Sequence, residues 1–316
     1  MHSSKQIKIA IVIPFYNGDD LIEACVSSIL DSTCSVQKIY IIDNSTEATK
    51  IKTLFTTEKV VEIIKTKPAI GFGRACNIGI NLATLDNNNV AIIMNQDAVF
   101  AKDSIALLAK YALSENTFAT VPISYLYDFS SVHPLIYSGY IEPVNGLVAD
   151  RKHGTLKNKY SLSYLQANGS CVAFNLSSIK KLPLFDPIFH MYGEDIDLFH
   201  RMIDKYNLNL YLIPIAKIGH LHSHLSETKN QDKIKSYGRF GSQIILLKDN
   251  MWIKCIIQTI HAYFLGLKKI KLRLIWLYVV SDFNLVKKLP LILKSRDTQF
   301  LNQQIKKYRE NDRINS

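Results

Sequence analysis

The chain has 316 residues, of which 47% are hydrophobic and 21% are charged. This length and balance are typical of a globular protein with one large or two modest domains, and they exclude an intrinsically disordered chain. Its five cysteines are scattered without a CxxC pair, which argues against a disulfide framework or zinc site and favours a reducing compartment. No apolar run reaches the roughly 18 residues of a membrane span, and the apolar N-terminal run is too short for a signal peptide. We therefore expect a cytoplasmic protein.

The formal net charge of +11 is unevenly distributed. Residues 230–316 contain 17 Lys and Arg against 6 Asp and Glu, whereas the rest of the chain is balanced. Apolar runs at 251–267 and 272–280, broken by single basic residues, predict basic amphipathic helices. Two interpretations remain open for this region: contact with an anionic membrane surface, or a helical subdomain that packs on the sheet or forms a homodimer. No nucleic-acid-binding motif accompanies the charge, so we expect no nucleic-acid partner.

The first half of the chain alternates between strands and helices. Each short apolar, β-branched run is followed by a polar turn and then by a segment with helical period, which is typical of βαβ units in a parallel sheet. The sequence predicts strands at 8–13, 38–42, 60–64, 90–95 and 119–123, and helices from about residue 19, at 46–55, at 73–85 and from about residue 102.

Polar residues follow the first, second and fourth predicted strands, at 14–17, 43–45 and 95–97. Ligands of open α/β sheets bind outside the carboxyl ends of the strands, where a carboxylate can hold a divalent cation and, through it, phosphate oxygens. The alternative is that Asp97 only caps the next helix. The sequence has neither GxGxxG after the first strand nor GxxxxGK[ST], which argues against a dinucleotide site and a P-loop.

The second half has a weaker pattern. Residues 125–159 resemble loops or β-ribbons, a small-residue strand lies in 166–174, and a strand at 208–214 precedes the histidine-rich 219–224. Gly193 precedes Glu194 and Asp195, which would stand at a helix N-terminus. These acids could carry chemistry, or they could only stabilise the helix dipole or pair with a basic side chain.

Seven motifs in order, IVIPFYN, IIDNS, GFGRACNIGI, IIMNQD, ANGSCVAF, GEDIDLFHR and PIAKIGHLHS, span about residues 7–226. This order resembles family-2 glycosyltransferases of the GT-A fold, and most closely the rhamnosyltransferase-like branch of bacterial surface-polysaccharide assembly. The resemblance implies an α/β fold with a Rossmann-like, mainly parallel sheet flanked by helices. It implies a catalytic domain at 1–229, with a nucleotide-binding half at about 1–123 and an acceptor-binding half at 124–229, followed by a basic helical region at 230–316.

The function implied is inverting transfer of a sugar from a nucleotide-sugar, dTDP-rhamnose or a UDP-sugar, to a lipid-linked glycan acceptor in capsule, O-antigen or cell-wall synthesis. Such an enzyme would use Mg²⁺ or Mn²⁺ and would be peripheral on the inner face of the plasma membrane. The alternative is a nucleotide-sugar-binding or scaffold protein of the same fold without transfer activity.

The resemblance also assigns roles to residues. Asp195 matches the general base, and a single-displacement transfer needs one such base to take the acceptor proton. Asp97 and His220 match metal ligands, with His222 and His224 as further candidates; Asn95 stands where the family often has an Asp and is a weaker ligand. The expected donor-binding residues are Pro14, Tyr16, Asn17, Asp43, Asn44, Arg74, Asn77, Asn95 and Gln96, and the expected acceptor-binding residues are Asn168, Gly169 and Glu194.

Overall fold

The computed structural model describes residues 6–132, 142, 144–167, 169–221, 231–269 and 271–313. Within these residues a nine-stranded sheet has the order β3-β2-β1-β4-β8-β6-β9-β5, and β7 pairs with β9. The strands are β1 (Ile9–Phe15), β2 (Lys38–Asp43), β3 (Val61–Lys65), β4 (Val90–Met94), β5 (Ala98–Phe100), β6 (Thr117–Leu126), β7 (Tyr160–Ser161), β8 (Cys171–Asn175) and β9 (Asn209–His220).

Helices follow most of the strands and continue after the sheet. The described helices are α1 (Asp19–Leu30), α2 (Ile51–Leu54), α3 (Phe72–Leu85), α4 (Ser104–Ala112), α5 (Leu147–His153), α6 (Leu176–Ile179), α7 (Glu194–His200), α8 (Gln231–Lys248), α9 (Trp252–Lys268), α10 (Leu272–Lys294) and α11 (Thr298–Asp312). A π-helical turn, Arg201–Lys205, extends α7. The helices described include none long and apolar enough to cross a membrane.

The sheet is parallel in its first half and mixed in its second. Strands β3, β2, β1 and β4 run parallel, whereas β8 is antiparallel to both β4 and β6. Strands β1, β2 and β4 are buried almost throughout, which explains their continuous apolar sequences. The carboxyl ends of β1, β2 and β4 therefore open on one edge of the sheet, where the polar residues lie.

Two apolar clusters cover the two faces of the sheet. Ala10 and Val12 of β1 pack in one cluster with α3, while Ile11 and Ile13 pack in the other with α1 and α4. The alternation follows from the two-residue side-chain period of a strand. Helix α3 approaches β1 so closely that a Cβ on Gly79 would lie 2.2 Å from Val12 Cγ1.

Three elements differ from the sequence prediction. Residues 147–153, expected within loops or β-ribbons, form helix α5. The helix expected at 46–55 is limited to α2, because the backbone N–H groups of Thr46 and Glu47 donate to Asn17 Oδ1 instead of joining a helix. The strand expected to end at 214 continues through Pro214 to His220, since its second part pairs with β5 and β6. The predicted domain boundary at 229/230 falls at residues 222–230, outside the described part of the chain.

Candidate active site

The ends of β1 and β2 are tied together by asparagine side chains. Asn17 Nδ2 donates to Thr46 Oγ1 at 3.0 Å, in addition to the backbone bonds that its Oδ1 accepts. Asn44 Nδ2 donates to the carbonyl oxygen of Phe15 at 2.7 Å. Pro14 is buried in β1 opposite Ile42 of β2. These contacts hold the ends of the two strands together at this edge of the sheet.

The polar residues after β4 join the same cluster. The backbone N–H of Tyr16 donates to Gln96 Oε1 at 2.7 Å, and Gln96 Nε2 donates back to the Tyr16 carbonyl at 3.3 Å. Tyr16 itself is 42% exposed. A Cβ on Gly18 would lie 2.1 Å from Gln96 Nε2, so a side chain there would displace the Gln96 amide from Tyr16.

Asp43 is buried at the end of β2, and both of its carboxylate oxygens accept hydrogen bonds. Its carboxylate accepts from Lys65 Nζ at 2.8 Å and from the backbone N–H of Ser45 at 3.0 Å. Sequence reasoning missed Lys65, although its signal was present: it is the basic residue that ends the neighbouring parallel strand. The expected donor residues Tyr16, Asn17, Asp43, Asn44 and Gln96 are thus brought together.

Arg74 and Asn77 of α3 have other partners. The Arg74 guanidinium forms a bidentate ion pair with Asp312 of α11 and lies 4.4 Å from the centre of the Tyr308 ring. The buried Asn77 amide exchanges two hydrogen bonds with the backbone of Phe185, at 2.8 and 3.1 Å. Their expected donor contacts remain predictions.

Asp97 and His220 meet at the end of the sheet. Ala98 of β5 pairs with His220 of β9, which sets His220 Nε2 3.0 Å from Asp97 Oδ1 and 3.3 Å from Asn95 Nδ2. Both side chains are only 6% exposed. Helix α4 begins at Ser104, so Asp97 does not cap it. His222 and His224 lie outside the described residues.

Asp195 is held at the start of α7. Its Oδ2 accepts the backbone N–H of Gly169 at 2.8 Å and its Oδ1 accepts that of Ile196 at 2.9 Å. Burial raises the pKa of Asp195, and these two N–H groups oppose the shift. A Cβ on Gly169 would lie 3.3 Å from Asp195 Oδ2, so the carboxylate rests directly on the glycine backbone. Asn168, the neighbouring acceptor candidate, is outside the described residues.

The residues just before β8 connect Asp195 to the residues after β4. The backbone N–H of Asn95 donates to the carbonyl of Ser170 at 2.9 Å, while the adjacent Gly169 donates to Asp195. Asp97 follows Asn95 by two residues. Asp195, the expected base, and Asp97, the expected metal ligand, therefore lie on either side of the short backbone segment 169–170.

Glu194 and Asp197 on the same helix have opposite environments. Glu194 is 7% exposed, its Oε2 has no hydrogen-bond partner among the described residues, and burial followed by the Asp195 charge raises its pKa to about 8. Asp197 is buried too, but Arg201 and Lys248 outweigh that burial and hold its pKa below the ordinary value. Asp197 therefore has a structural ion pair, and sequence reasoning missed the part of Lys248 in it.

Asp97 and His220 offer a partial shell for a divalent cation. The described residues contain no group of three or more His, Cys, Asp or Glu side chains that could hold a metal ion. A buried carboxylate and an imidazole in contact are nevertheless a fitting pair of protein ligands, because such ions take oxygen and nitrogen donors and complete their shells with water or phosphate oxygens.

Residues 10–180, more than half of the chain, match the family described as Glycosyl transferase family 2. The chain belongs to this family. The match includes the ends of β1, β2 and β4 and stops before Asp195 and His220, whose positions come from the structure. Among curated proteins, no sequence matches this chain.

Two solved structures show the same fold for this family-2 member. GalNAc-T7 with UDP, GalNAc and Mn²⁺ is 15% identical with a TM-score of 0.52, covering 78% of this chain and 51% of that one. S. aureus TarS 1-349 in complex with UDP is 10% identical with a TM-score of 0.50, covering 74% and 65%. The chain thus spans about half to two thirds of these proteins' lengths. The predicted α/β class with a GT-A fold is confirmed.

Proposed function

We propose that this family-2 member transfers a sugar from a nucleotide-sugar to an acceptor hydroxyl with inversion at the anomeric carbon. The observation that carries the proposal is the position of Asp195. It is a half-buried carboxylate with a raised pKa, and it is joined through 169–170 to the polar strand ends that contain Asp97. A raised pKa makes a carboxylate a stronger base at neutral pH.

The proposed reaction is one displacement. The acceptor oxygen bonds to the anomeric carbon while its proton passes to the Asp195 carboxylate. The bond from the anomeric carbon to the pyrophosphate oxygen breaks, and the nucleoside diphosphate leaves with that electron pair. One displacement inverts the anomeric centre and needs one base rather than the carboxylate pair of a glycosidase.

A divalent cation, Mg²⁺ or Mn²⁺, is the proposed cofactor. Asp97 and His220 would hold it, with Asn95 as a weaker neutral neighbour. When bound, such a cation supplies Lewis-acid neutralisation of the leaving pyrophosphate. The GalNAc-T7 structure, which has the same fold, contains Mn²⁺, and this supports a divalent cation as the cofactor.

The proposed donor is dTDP-rhamnose or a UDP-sugar. The exposed Tyr16 ring and the Asn17 and Asp43 cluster form the donor side, and both structural neighbours contain UDP. The order of motifs supports the rhamnosyltransferase-like branch. The proposed acceptor is a lipid-linked glycan of capsule, O-antigen or cell-wall synthesis, which approaches Gly169 and Glu194 beside the base.

One observation favours a second candidate, a nucleotide-sugar-binding protein without transfer activity. Asn95 places a neutral amide beside His220 where a second carboxylate would strengthen cation binding. Calorimetry with UDP and dTDP, with and without Mn²⁺, followed by a turnover assay separates the two. Tight binding without product formation would favour the binding protein.

The test of transfer uses Asp195→Asn and Asp97→Ala, with Asp103→Asn at an exposed position of the same domain as the matched control. We expect Asp195→Asn to lower the turnover number roughly 10²–10⁴-fold with donor affinity retained, because only the base is lost. Asp97→Ala should raise the Mn²⁺ concentration required for turnover. Full activity in both variants would contradict the site assignment.

A further inference from the structure

Helices α9 and α10 expose large apolar side chains to solvent in two continuous stripes. Each stripe recurs at intervals of one, three or four residues, which keeps its members on one side of a helix, about 100° wide. The stripe of α9 consists of Ile253, Ile256, Ile257, Ile260, Phe264 and Leu267, each 58–75% exposed. The stripe of α10 consists of Leu272, Trp276, Val279, Val280, Phe283 and Val286, each 41–72% exposed.

The opposite sides of the same helices make the contacts with protein. A Cβ on Gly266 of α9 would lie 2.8 Å from Ile275 of α10, so the two helices meet closely there. Tyr263 donates to Asp282 at 2.8 Å, and Arg239 of α8 pairs with the same carboxylate. The two stripes are therefore the outer surface of the α8–α9–α10 layer, because other apolar side chains of these helices, such as Cys255 and Leu285, already pack inward.

Basic residues border the stripes. Residues 250–281 contain no Asp or Glu. The carboxylate of Asp282 pairs with Arg239 and accepts a hydrogen bond from Tyr263. Exposed apolar patches of this extent are uncommon on a soluble monomer and indicate an interaction surface. The bordering basic residues are Lys254, Lys268, Lys269, Lys271, Arg273 and Lys287.

We propose that the outer surface of α9 and α10 inserts its stripes into an anionic lipid bilayer, so that the helices lie in the plane of the interface. A helix with an apolar side and Lys or Arg beside it binds at the boundary of headgroups and acyl chains, and anionic headgroups complement the charge. A second copy of this chain is disfavoured as occupant, because it would bring two sets of like charges together. The biological meaning of this surface rests on the proposed transfer to a lipid-linked acceptor.

The surface is joined firmly to the catalytic residues. Gly241 of α8 packs against Gly193 immediately before α7, with a Cβ on Gly193 only 3.1 Å from Gly241 Cα. Lys248 at the end of α8 pairs with both Asp186 and Asp197. Helix α8 therefore fixes the distance between the stripes and Asp195, which suits an acceptor whose hydroxyl stands at a set height above the bilayer.

Both tryptophans of the chain, Trp252 and Trp276, lie on these helices and report insertion directly. The full-length protein is mixed with vesicles of phosphatidylglycerol and phosphatidylcholine, or of phosphatidylcholine alone. We expect a blue shift of tryptophan emission and co-sedimentation with the anionic vesicles, weakened but not abolished by salt, because apolar insertion is not screened.

The decisive variant is Ile256→Gln/Ile260→Gln/Phe283→Gln, which keeps every charge. The matched control is Leu85→Gln/Leu113→Gln/Leu165→Gln, three exposed leucines of the catalytic domain. We expect at least a tenfold loss of vesicle binding and no blue shift in the first variant only. Equal vesicle binding by both variants, or lipid-free dimers of the wild type that the first variant abolishes, would overturn the proposal.

Donor hydrolysis without vesicles separates this proposal from the proposed function. If the first variant hydrolyses donor normally but no longer binds vesicles, the surface is a membrane contact of an active enzyme. If the wild type binds vesicles but never turns over any donor, the membrane surface stands and the proposed transfer fails.

Discussion

At the scale of single residues, the adjacent acids Glu194 and Asp195 are set apart by their hydrogen bonds. Asp195 accepts two backbone N–H groups, which favour its charged form, whereas buried Glu194 Oε2 accepts none from the described residues. Separated pKa values are typical of neighbouring carboxylates with different tasks. We expect Asp195 to act as the base while Glu194 stays largely protonated at neutral pH.

The stability of the Glu194→Gln variant should depend on pH differently from that of the wild type. The folded protein holds a proton on Glu194 up to a pKa of about 8, whereas the unfolded chain releases it near 4.5. Glu194 therefore lowers the free energy of unfolding of the wild type as the pH rises from 5 to 8. The neutral variant does not, so its stability relative to wild type should increase over that range.

Urea unfolding at pH 5, 6, 7 and 8 measures this difference, with Glu115→Gln at an exposed position as the control. A difference between Glu194→Gln and wild type that stays constant with pH would contradict the raised pKa.

At the scale of elements, α8 is locked to the catalytic domain by a buried lysine. Lys248 is 6% exposed and pairs with Asp186, in the loop before α7, and with Asp197 in α7. Arg201 braces the same loop by donating to the carbonyl oxygens of Pro183 and Leu184 at 2.6 Å. The position of α7, and of Asp195 at its start, depends on these long-range pairs.

Lys248→Met should therefore destabilise the whole protein. Removing one partner leaves two buried carboxylates undercompensated, which costs about 3–5 kcal/mol in comparable buried pairs. Lys254→Met, at an exposed position of α9, should change the free energy of unfolding by less than about 0.5 kcal/mol. Denaturant unfolding measures both, and equal small effects would contradict the role of Lys248.

At the scale of the whole molecule, the last helix returns to α3 and the end of β3. Asp312 of α11 pairs with Arg74 of α3, and its carbonyl accepts the backbone N–H of Lys67 at 2.8 Å. Thr66 and Arg313 form an isolated antiparallel bridge. The basic C-terminal region is thus attached at both ends, by Lys248 to Asp186 and Asp197 and by Asp312 to Arg74.

Asp312→Ala tests this second attachment. Asp312 is 2% exposed, and losing a charged hydrogen-bonded partner of Arg74 should cost about 1.5–3 kcal/mol. We expect a lower melting temperature in a single transition, since α11 and α3 unfold together. Glu310→Ala, at an exposed position two residues earlier on α11, is the control and should leave the melting temperature unchanged. Two separate transitions in the wild type would refute the coupling.

The sequence by itself determined the features that depend on local pattern. Apolar runs of the right length predicted β1, β2 and β4, and the polar residues at their ends predicted the edge on which the crevice opens. The positions of Glu194 and Asp195 at a helix start followed from Gly193. These inferences succeed because strand burial, turns and helix starts are encoded within a few neighbouring residues.

Only the tertiary structure decided which distant residues meet. Asp97 reaches His220 across 123 positions and Arg74 reaches Asp312 across 238, distances over which local pattern carries no information. Helical periodicity likewise gave α9 and α10 an apolar side but could not say whether protein covers it. Packing decided that: the sides with Cys255 of α9 and with Tyr278 and Leu285 of α10 pack against protein, and the apolar stripes are left in solvent.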